Sequence, residues 1–277
     1  MSRPSPALQD GRSDIIRFAA ALLLGAFAAT PALAQSPFDG TWKTDLASLT
    51  MPKKPDVFAL GHGTYTCDSC DPRIRVPADG ARHRVAGHRY YDEVVVDAVS
   101  AHSIRIRRYV RGRIMFFEEM TVSPDGTTLS FDFRDTRFRA APVIGRGSEH
   151  RVGKAPDILA AHPVSGSWKL DWIKHASDYG LLFSLKSNGA TMHMSTPGGQ
   201  SYTATIGGPA VPIAGDIAGT TATLKRLSPT TLQETDRRGG HIVSVVTMTV
   251  APGGRSMTVV TNETVHGAMQ TYKALKQ

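Results

Sequence analysis

The chain predicts an all-β protein built twice: two tandem antiparallel β units, each a barrel or sandwich, related by internal duplication. The first observation is a set of echoes. Gly40-Thr41-Trp42-Lys43-Thr44-Asp45 recurs as Gly166-Ser167-Trp168-Lys169-Leu170-Asp171, and Arg111-Gly112 recurs as Arg238-Gly239. Met120-Thr121-Val122-Ser123-Pro124-Asp125-Gly126 recurs as Met248-Thr249-Val250-Ala251-Pro252-Gly253-Gly254, so the offsets are 126, 127 and 128 residues. Markers that keep order and spacing are the mark of a repeated structural unit. The second observation is short apolar-polar alternation broken by Gly, Pro, Asn and Asp, which is the period of strands. The third is that neither copy carries a long amphipathic helix pattern.

Residues 1–34 read as a secretory signal: Arg12 and Arg17 precede an apolar stretch from Phe18 to Ala29, and Ala32-Leu33-Ala34 offers small residues before a cut at Gln35. That stretch is too short for a permanent span, and no later segment is a candidate transmembrane helix. The expected location is periplasmic or secreted. Of the formal charge of +8, the signal removes three arginines and two aspartates and leaves +7. A basic balance serves solubility and suits anionic partners.

The first unit is assigned to residues 35–137. Its strands are expected at Gly63–Thr66, Val94–Val99 and Ser103–Arg107, followed by a hairpin of Arg113–Val122 and Thr127–Arg134 turning at Pro124-Asp125-Gly126. Residues 138–163 lack a period and hold several Gly and Pro, so they read as a linker with a short helical turn at Asp157–Ala161. The second unit, 164–277, offers Leu181–Ser187, Ala190–Thr196, Gln200–Ile206, Thr221–Arg226, Thr231–Asp236, His241–Val250, Ser256–Asn262 and Met269–Leu275 as strands. Roughly seven strands are expected in the first unit and eight or nine in the second. Two small cores follow from the repeat, and a closed barrel of about eight strands is either filled by side chains or holds one small ligand.

Gly40/Trp42 and Gly166/Trp168, each opening the first strand of a β unit, resemble the Gly-x-Trp signature of lipocalin-like folds. The second unit is also similar to a family of uncharacterised exported bacterial proteins. It shares the pattern Gly166 to Asp171, Ser201-Tyr202-Thr203-Ala204, Pro212-Ile213-Ala214-Gly215-Asp216, Thr223 to Leu227 and the Val250–Gly254 turn. The first unit resembles a variant of it carrying Tyr65-Thr66-Cys67-Asp68-Ser69-Cys70. The resemblance implies two lipocalin-like antiparallel barrels, with Trp42 and Trp168 each closing one end. It implies no activity.

Cys67 and Cys70 are the only cysteines, and in an exported chain two nearby thiols are expected as a structural disulfide. Redox use would want a helix N-terminus, and Gly63–Thr66 reads as strand. A metal site would need more ligands, for which His62, His83 and His88 are the candidates; solvated histidines are the favoured reading and no metal or cofactor is expected. Arg105 and Arg107 share one face of their strand while Ile104 and Ile106 share the other. If the isoleucines fill a core, the arginines face water. In the reverse register two guanidinium groups enter the barrel, where they could hold a carboxylate or phosphate headgroup near Tyr91. Glu118 and Glu119 point to opposite faces, so they form no acid–base pair with each other. Met192 and Met194 share a face and read as core. There is no nucleophile elbow, phosphate-binding Gly-rich loop or His-Glu-x-x-His helix.

Three functions are therefore weighed. The favoured one is a non-enzymatic binding protein for a small amphiphile or organic anion, with Arg105, Arg107 and Tyr91 as the ligand-binding residues. The alternative is an envelope protein that uses the outer surfaces of filled barrels to meet a protein partner. An enzyme would need a convergent polar cluster between the halves, with His162, His175 or Asp178 as candidates. A nucleic-acid partner is not expected, since Phe116 and Phe117 read as core and not as exposed bases' stacking platforms.

Overall fold

The structure, a computed structural model, describes residues 36–51, 54–137, 141–154, 161–264 and 267–277. The signal predicted at 1–34 lies outside the described residues, as do residues 157–160 of the predicted helical turn. The first repeat contributes β1 (Gly40–Thr50), β2 (Asp56–Gly61), β3 (Thr64–Cys67), β4 (Ile74–Pro77) and β5 (His83–Arg84). There follow β6 (Glu93–Ala98), β7 (Ser103–Val110), β8 (Arg113–Val122), β9 (Thr128–Asp135) and β10 (Val143–Val152). The second repeat contributes β11 (Gly166–Ala176), the short helix α1 (Asp178–Leu181), β12 (Leu182–Asn188), β13 (Thr191–Ser195), β14 (Ser201–Thr205) and β15 (Val211–Pro212). It ends with β16 (Thr221–Ser228), β17 (Thr231–Arg238), β18 (His241–Val250), β19 (Ser256–Glu263) and β20 (Ala268–Lys276).

These strands form two ten-stranded antiparallel sheets, each curled into a nearly closed barrel, which is the duplicated all-β architecture expected from the repeats. Barrel I has the order β4-β3-β2-β11-β10-β9-β8-β7-β6-β5, and barrel II the order β14-β13-β12-β1-β20-β19-β18-β17-β16-β15. Barrel II is drawn shut by the bridges Ser201 to Ala214 and Ile206 to Leu224, barrel I by Asp79 to Asp97.

The two barrels do not coincide with the two sequence repeats. β1, from the first repeat, lies between β12 and β20, and β11, from the second, lies between β2 and β10. The opening strands are exchanged. Phe38 and Trp42 accordingly belong to the core of barrel II with Leu185, Leu232, Met248 and Met257. Val164 and Trp168 belong to the core of barrel I with Ile104, Ile106, Met120 and Leu129. Each opening strand runs 11 residues without a turn, about 37 Å at the strand rise of ~3.4 Å per residue.

β10 departs from the expected linker at 138–163, for it is a ten-residue strand paired along both sides. Its apolar period is missing because Gly145 and Gly147 occupy inward positions, and the rings of Phe133 and Phe131 on the facing strand β9 lie over them. The neighbour supplies the apolar volume that the strand's own sequence lacks. The short β5 and β15, two residues each, were also below the reach of periodicity.

The Gly-x-Trp motif has the same local cause in both barrels. Trp42 and Trp168 are fully buried, and each indole N–H donates to a backbone carbonyl four residues earlier, Phe38 O and Val164 O, at 2.8 Å. A cation directly opposite on the neighbouring strand covers each ring: Lys276 Nζ at 5.5 Å from Trp42 and the Arg151 guanidinium at 4.0 Å from Trp168. Gly40 (φ 136°) and Gly166 (φ 132°) hold backbone conformations that side chains rarely adopt, and a methyl at either would strike that cation. Arg151 is further anchored on Gly126 O, Ser165 O and Pro163 O at 2.6–2.7 Å.

Candidate functional site: two barrel mouths

Beyond these tryptophan-packed cores, each barrel opens into a cavity, of about 370 Å³ in barrel I and about 380 Å³ in barrel II. Strands β7 and β17 set their chemistry. On β7, Ile104 and Ile106 are buried in the core, so alternation turns Arg105 and Arg107 to the outer wall. There Arg105 donates to Glu119 Oε2 at 3.0 and 3.2 Å, and Arg107 donates to Asp97 Oδ2 at 2.5 Å. The next inward position is Arg108, beside a register slip in the β7–β8 ladder.

Arg108 enters the mouth of barrel I with Tyr65, Tyr91, His88 and Glu118. Its guanidinium lies 4.8 Å from the ring centre of Phe116 and 5.5 Å from that of Tyr91. Its Nη2 lies 3.9 Å from Glu118 Oε2, and the buried Nε has no hydrogen-bond partner among the described residues. Tyr91 stacks on His88 at 4.4 Å. Burial pushes the Tyr65 and Tyr91 phenols up against the lowering influence of Arg108. Burial, and then the Arg108 charge, pushes the His88 imidazole down, which favours its neutral form. The Cys67–Cys70 disulfide forms part of this wall, and Ser69 within its loop accepts a bond from Val57 N at 3.0 Å. It ties the end of β3 to the start of β2.

On β17 the inward residues are Leu232, in the core, and then Glu234, Asp236 and Arg238, which line the mouth of barrel II. Glu234 is 8% exposed and its Oε2 accepts the Tyr202 hydroxyl at 2.5 Å. Burial, with repulsion from Asp236, pushes the Glu234 carboxyl up to about 8 even though the Tyr202 bond opposes it. Asp236 is raised by burial too, with Glu234 and Arg238 holding it back. The two carboxyls therefore share a proton near neutral pH. Asp236 Oδ1 is buried with no hydrogen-bond partner among the described residues. Burial would raise Asp216, yet bonds from Thr220 and Ala218 hold it below the usual range.

One dipeptide joins the mouths. Tyr91 faces barrel I, while Tyr90 also lines the cavity of barrel II, where its hydroxyl accepts from Arg238 Nη2 at 2.7 Å. The Tyr90 ring lies 5.0 Å from the Arg137 guanidinium and 5.4 Å from that of Arg238. Arg137 is itself held by the buried Asp135.

Of the three predicted ligand residues, the structure places Tyr91 at a mouth and Arg105 and Arg107 outside it. Arg108 was missed although the same alternation points to it, two positions beyond Ile106. Glu234, Asp236 and Arg238 were legible the same way, two, four and six positions beyond Leu232. The other candidates are dispersed. His83 Nε2 meets Asp79 Oδ1 at 2.8 Å, His162 Nε2 meets Ser100 O at 3.1 Å, His175 sits opposite Arg146 in the β10–β11 ladder, and Asp178 pairs with Lys43 at 2.9 Å. His62 occupies a tight turn at φ 48°. Among the described residues no three His, Cys, Asp or Glu side chains gather as a metal site. No family model, curated protein or solved structure matches the chain.

Proposed function

We propose that this chain is an exported, lipocalin-like binding protein that holds a small amphiphilic anion in the mouth of barrel I. The observation that carries the reading is Arg108. A guanidinium has five N–H donors in a fixed fork, and taking it out of water without acceptors is costly. Arg108 is covered by Phe116 and Tyr91, its Nε is unpartnered, and Glu118 stands 3.9 Å away. A carboxylate accepts two such donors side by side, and the aromatic wall of Tyr65, Tyr91 and Phe58 receives an apolar tail. Export is supported by the signal pattern of residues 1–34 and by a disulfide, which persists in oxidising compartments.

Titration calorimetry with hexanoate tests the reading. Saturable binding to the wild type and at least tenfold weaker binding to Arg108→Met support it; equal binding to both, or none to either, removes it. In the absence of a small ligand the second reading stands, that of an envelope protein meeting a protein partner. Its support is the groove between β1 and β11, where Leu49, Met51, Leu170 and Ile173 surround Trp172, which is 46% exposed.

A further inference from the structure

We infer that the arginine-bearing end of barrel I docks on a membrane surface rich in anionic phospholipid. The positive charge of the chain is gathered there. Residues 73–113 hold ten arginines, no lysine and four acids, so they carry +6 of the formal +8 of the whole chain. Arg105, Arg107 and Arg73 are paired with Glu119, Asp97 and Asp68. Arg84, Arg111 and Arg113 are exposed and form no ion pair among the described residues.

The ladders bring these side chains to one place. Arg84 on β5 faces Glu93 on β6, Glu93 faces Tyr109 on β7, and the β7–β8 turn follows at Arg111-Gly112. Arg82, Arg84 and Arg111 consequently line one groove of about 600 Å³, together with Asp92 and Glu93. Neither acid neutralises Arg84 or Arg111. Asp92 accepts the Arg111 backbone N–H at 3.1 and 3.2 Å, and Glu93 Oε2 lies 4.0 Å from Arg82 Nη1.

The second repeat shows that the barrel does not need these charges in order to fold. An offset of 128 residues superposes the β5–β6 and β7–β8 ladders on β15–β16 and β17–β18. The positions of Arg82, Arg84, Arg111 and Arg113 are then held in barrel II by Ala210, Pro212, Gly239 and His241. Arg111 is the most informative of the four. It opens a two-residue hairpin turn at φ 48°, where barrel II has Gly239 at φ 56°. Glycine meets that conformation without strain and a longer side chain does not, so the arginine serves something other than the turn.

A guanidinium fork matches the oxygens of a phosphate two at a time, which suits a patch built of arginine without lysine. The phosphate belongs to a bilayer and not to a nucleic acid. Tyr109 at this end is buried and covered by Arg82 at 4.4 Å, so it presents no platform for a base. Ile114, next to Arg113, is 36% exposed and can enter the headgroup layer. The surface uses neither Arg108 nor Tyr91, so it does not rest on the anion site in the mouth.

The test is vesicle flotation of the chain from Gln35 to Gln277, which contains β1 to β20 without the apolar leader. One set of vesicles is phosphatidylcholine alone, the other equal parts of phosphatidylcholine and phosphatidylglycerol. The wild type should float with the anionic vesicles only, and less as salt is raised. An arginine at an anionic surface contributes roughly fivefold in affinity. The variant Arg84→Gln/Arg111→Gly/Arg113→Gln should therefore bind on the order of a hundredfold more weakly. A charge-matched variant of barrel II, Lys186→Gln/Lys225→Gln/Arg255→Gln, also removes three exposed cations and should bind nearly as well as the wild type. The comparison of the two vesicles needs no variant at all. Wild-type binding to both vesicles alike or to neither, or equal losses in the two triple variants, would overturn the proposal. So would binding of a fluorescent oligonucleotide in the absence of vesicle binding, which would assign the arginines to nucleic acid.

Discussion

The two mouths occupy the same place in two copies of one repeat, and they carry opposite chemistry. In barrel I, Ile106 faces Glu118 across the β7–β8 ladder and Arg108 faces Phe116. In barrel II the equivalent pairs, 128 residues on, are Glu234 facing Val246 and Asp236 facing Ser244. One acid and one aliphatic residue are kept at the first pair but on exchanged strands. At the second pair an arginine against an aromatic has become a carboxylate against a serine. The opposite region shows no such freedom: both copies keep Gly-x-Trp, a carbonyl for the indole and a cation over the ring. Packing constrains the Trp-bearing cores at every atom, so they resist change. A cavity wall loses little packing when a side chain is replaced, so inward positions near the mouth can diverge.

The largest effects should come from the cores, and they also test the exchange of strands. Trp42→Ala and Trp168→Ala should each cost about 3–5 kcal/mol, the range for truncating a buried large aromatic. Hydrogen exchange should locate the loss of protection from Trp42→Ala in β12–β20 and that from Trp168→Ala in β2–β10. The reverse assignment would show each Trp seated in the barrel of its own repeat.

An intermediate effect separates the mouths by pH. The Glu234 carboxyl lies at about 8 in the folded protein against a usual 4.5. The stability contributed by its protonated form is fully present below the lower value and is lost as pH rises through the upper one. Over that window the loss is on the order of a few kcal/mol. Thermal unfolding followed from about pH 5 to about pH 9 should show barrel II weakening, and Glu234→Gln should flatten the slope. Identical slopes in the two proteins would mean that Glu234 is ionised when folded.

The smallest effect belongs to the outer wall. Arg105 and Arg107 are about a third exposed and sit in surface ion pairs, for which ~1 kcal/mol is an upper expectation. Arg105→Met and Arg107→Met should each shift stability by no more than that and leave hexanoate binding unchanged. A large loss of hexanoate affinity in either would return the anion site to the outer face of β7.

Much of this molecule was legible in its sequence, and for local reasons. Alternation of Ile104 and Ile106 with Arg105 and Arg107 decided which residues face the core, because successive strand side chains point to opposite sides whatever the neighbouring strand is. The hairpin at Pro124–Gly126 was readable because its turn demands those residue types. β10 was not readable, since Gly145 and Gly147 owe their burial to Phe133 and Phe131 on another strand. The acidic mouth of barrel II was legible in part: Leu232 fixes the inward face and the same alternation puts Glu234 and Asp236 on it, but only the fold shows that this face ends in a cavity.

The sequence by itself thus determined the duplication, the strands and the side on which most residues of a strand fall. Only the tertiary structure decided that β1 completes barrel II and β11 completes barrel I, and that Tyr90 of the first repeat caps the cavity of the second. Ladder hydrogen bonds are made by backbone groups that every residue but proline carries, so a strand's sequence does not name its partner. When two copies offer the same glycine, the same tryptophan seat and the same covering cation, the choice between them rests on how the whole chain is arranged in space.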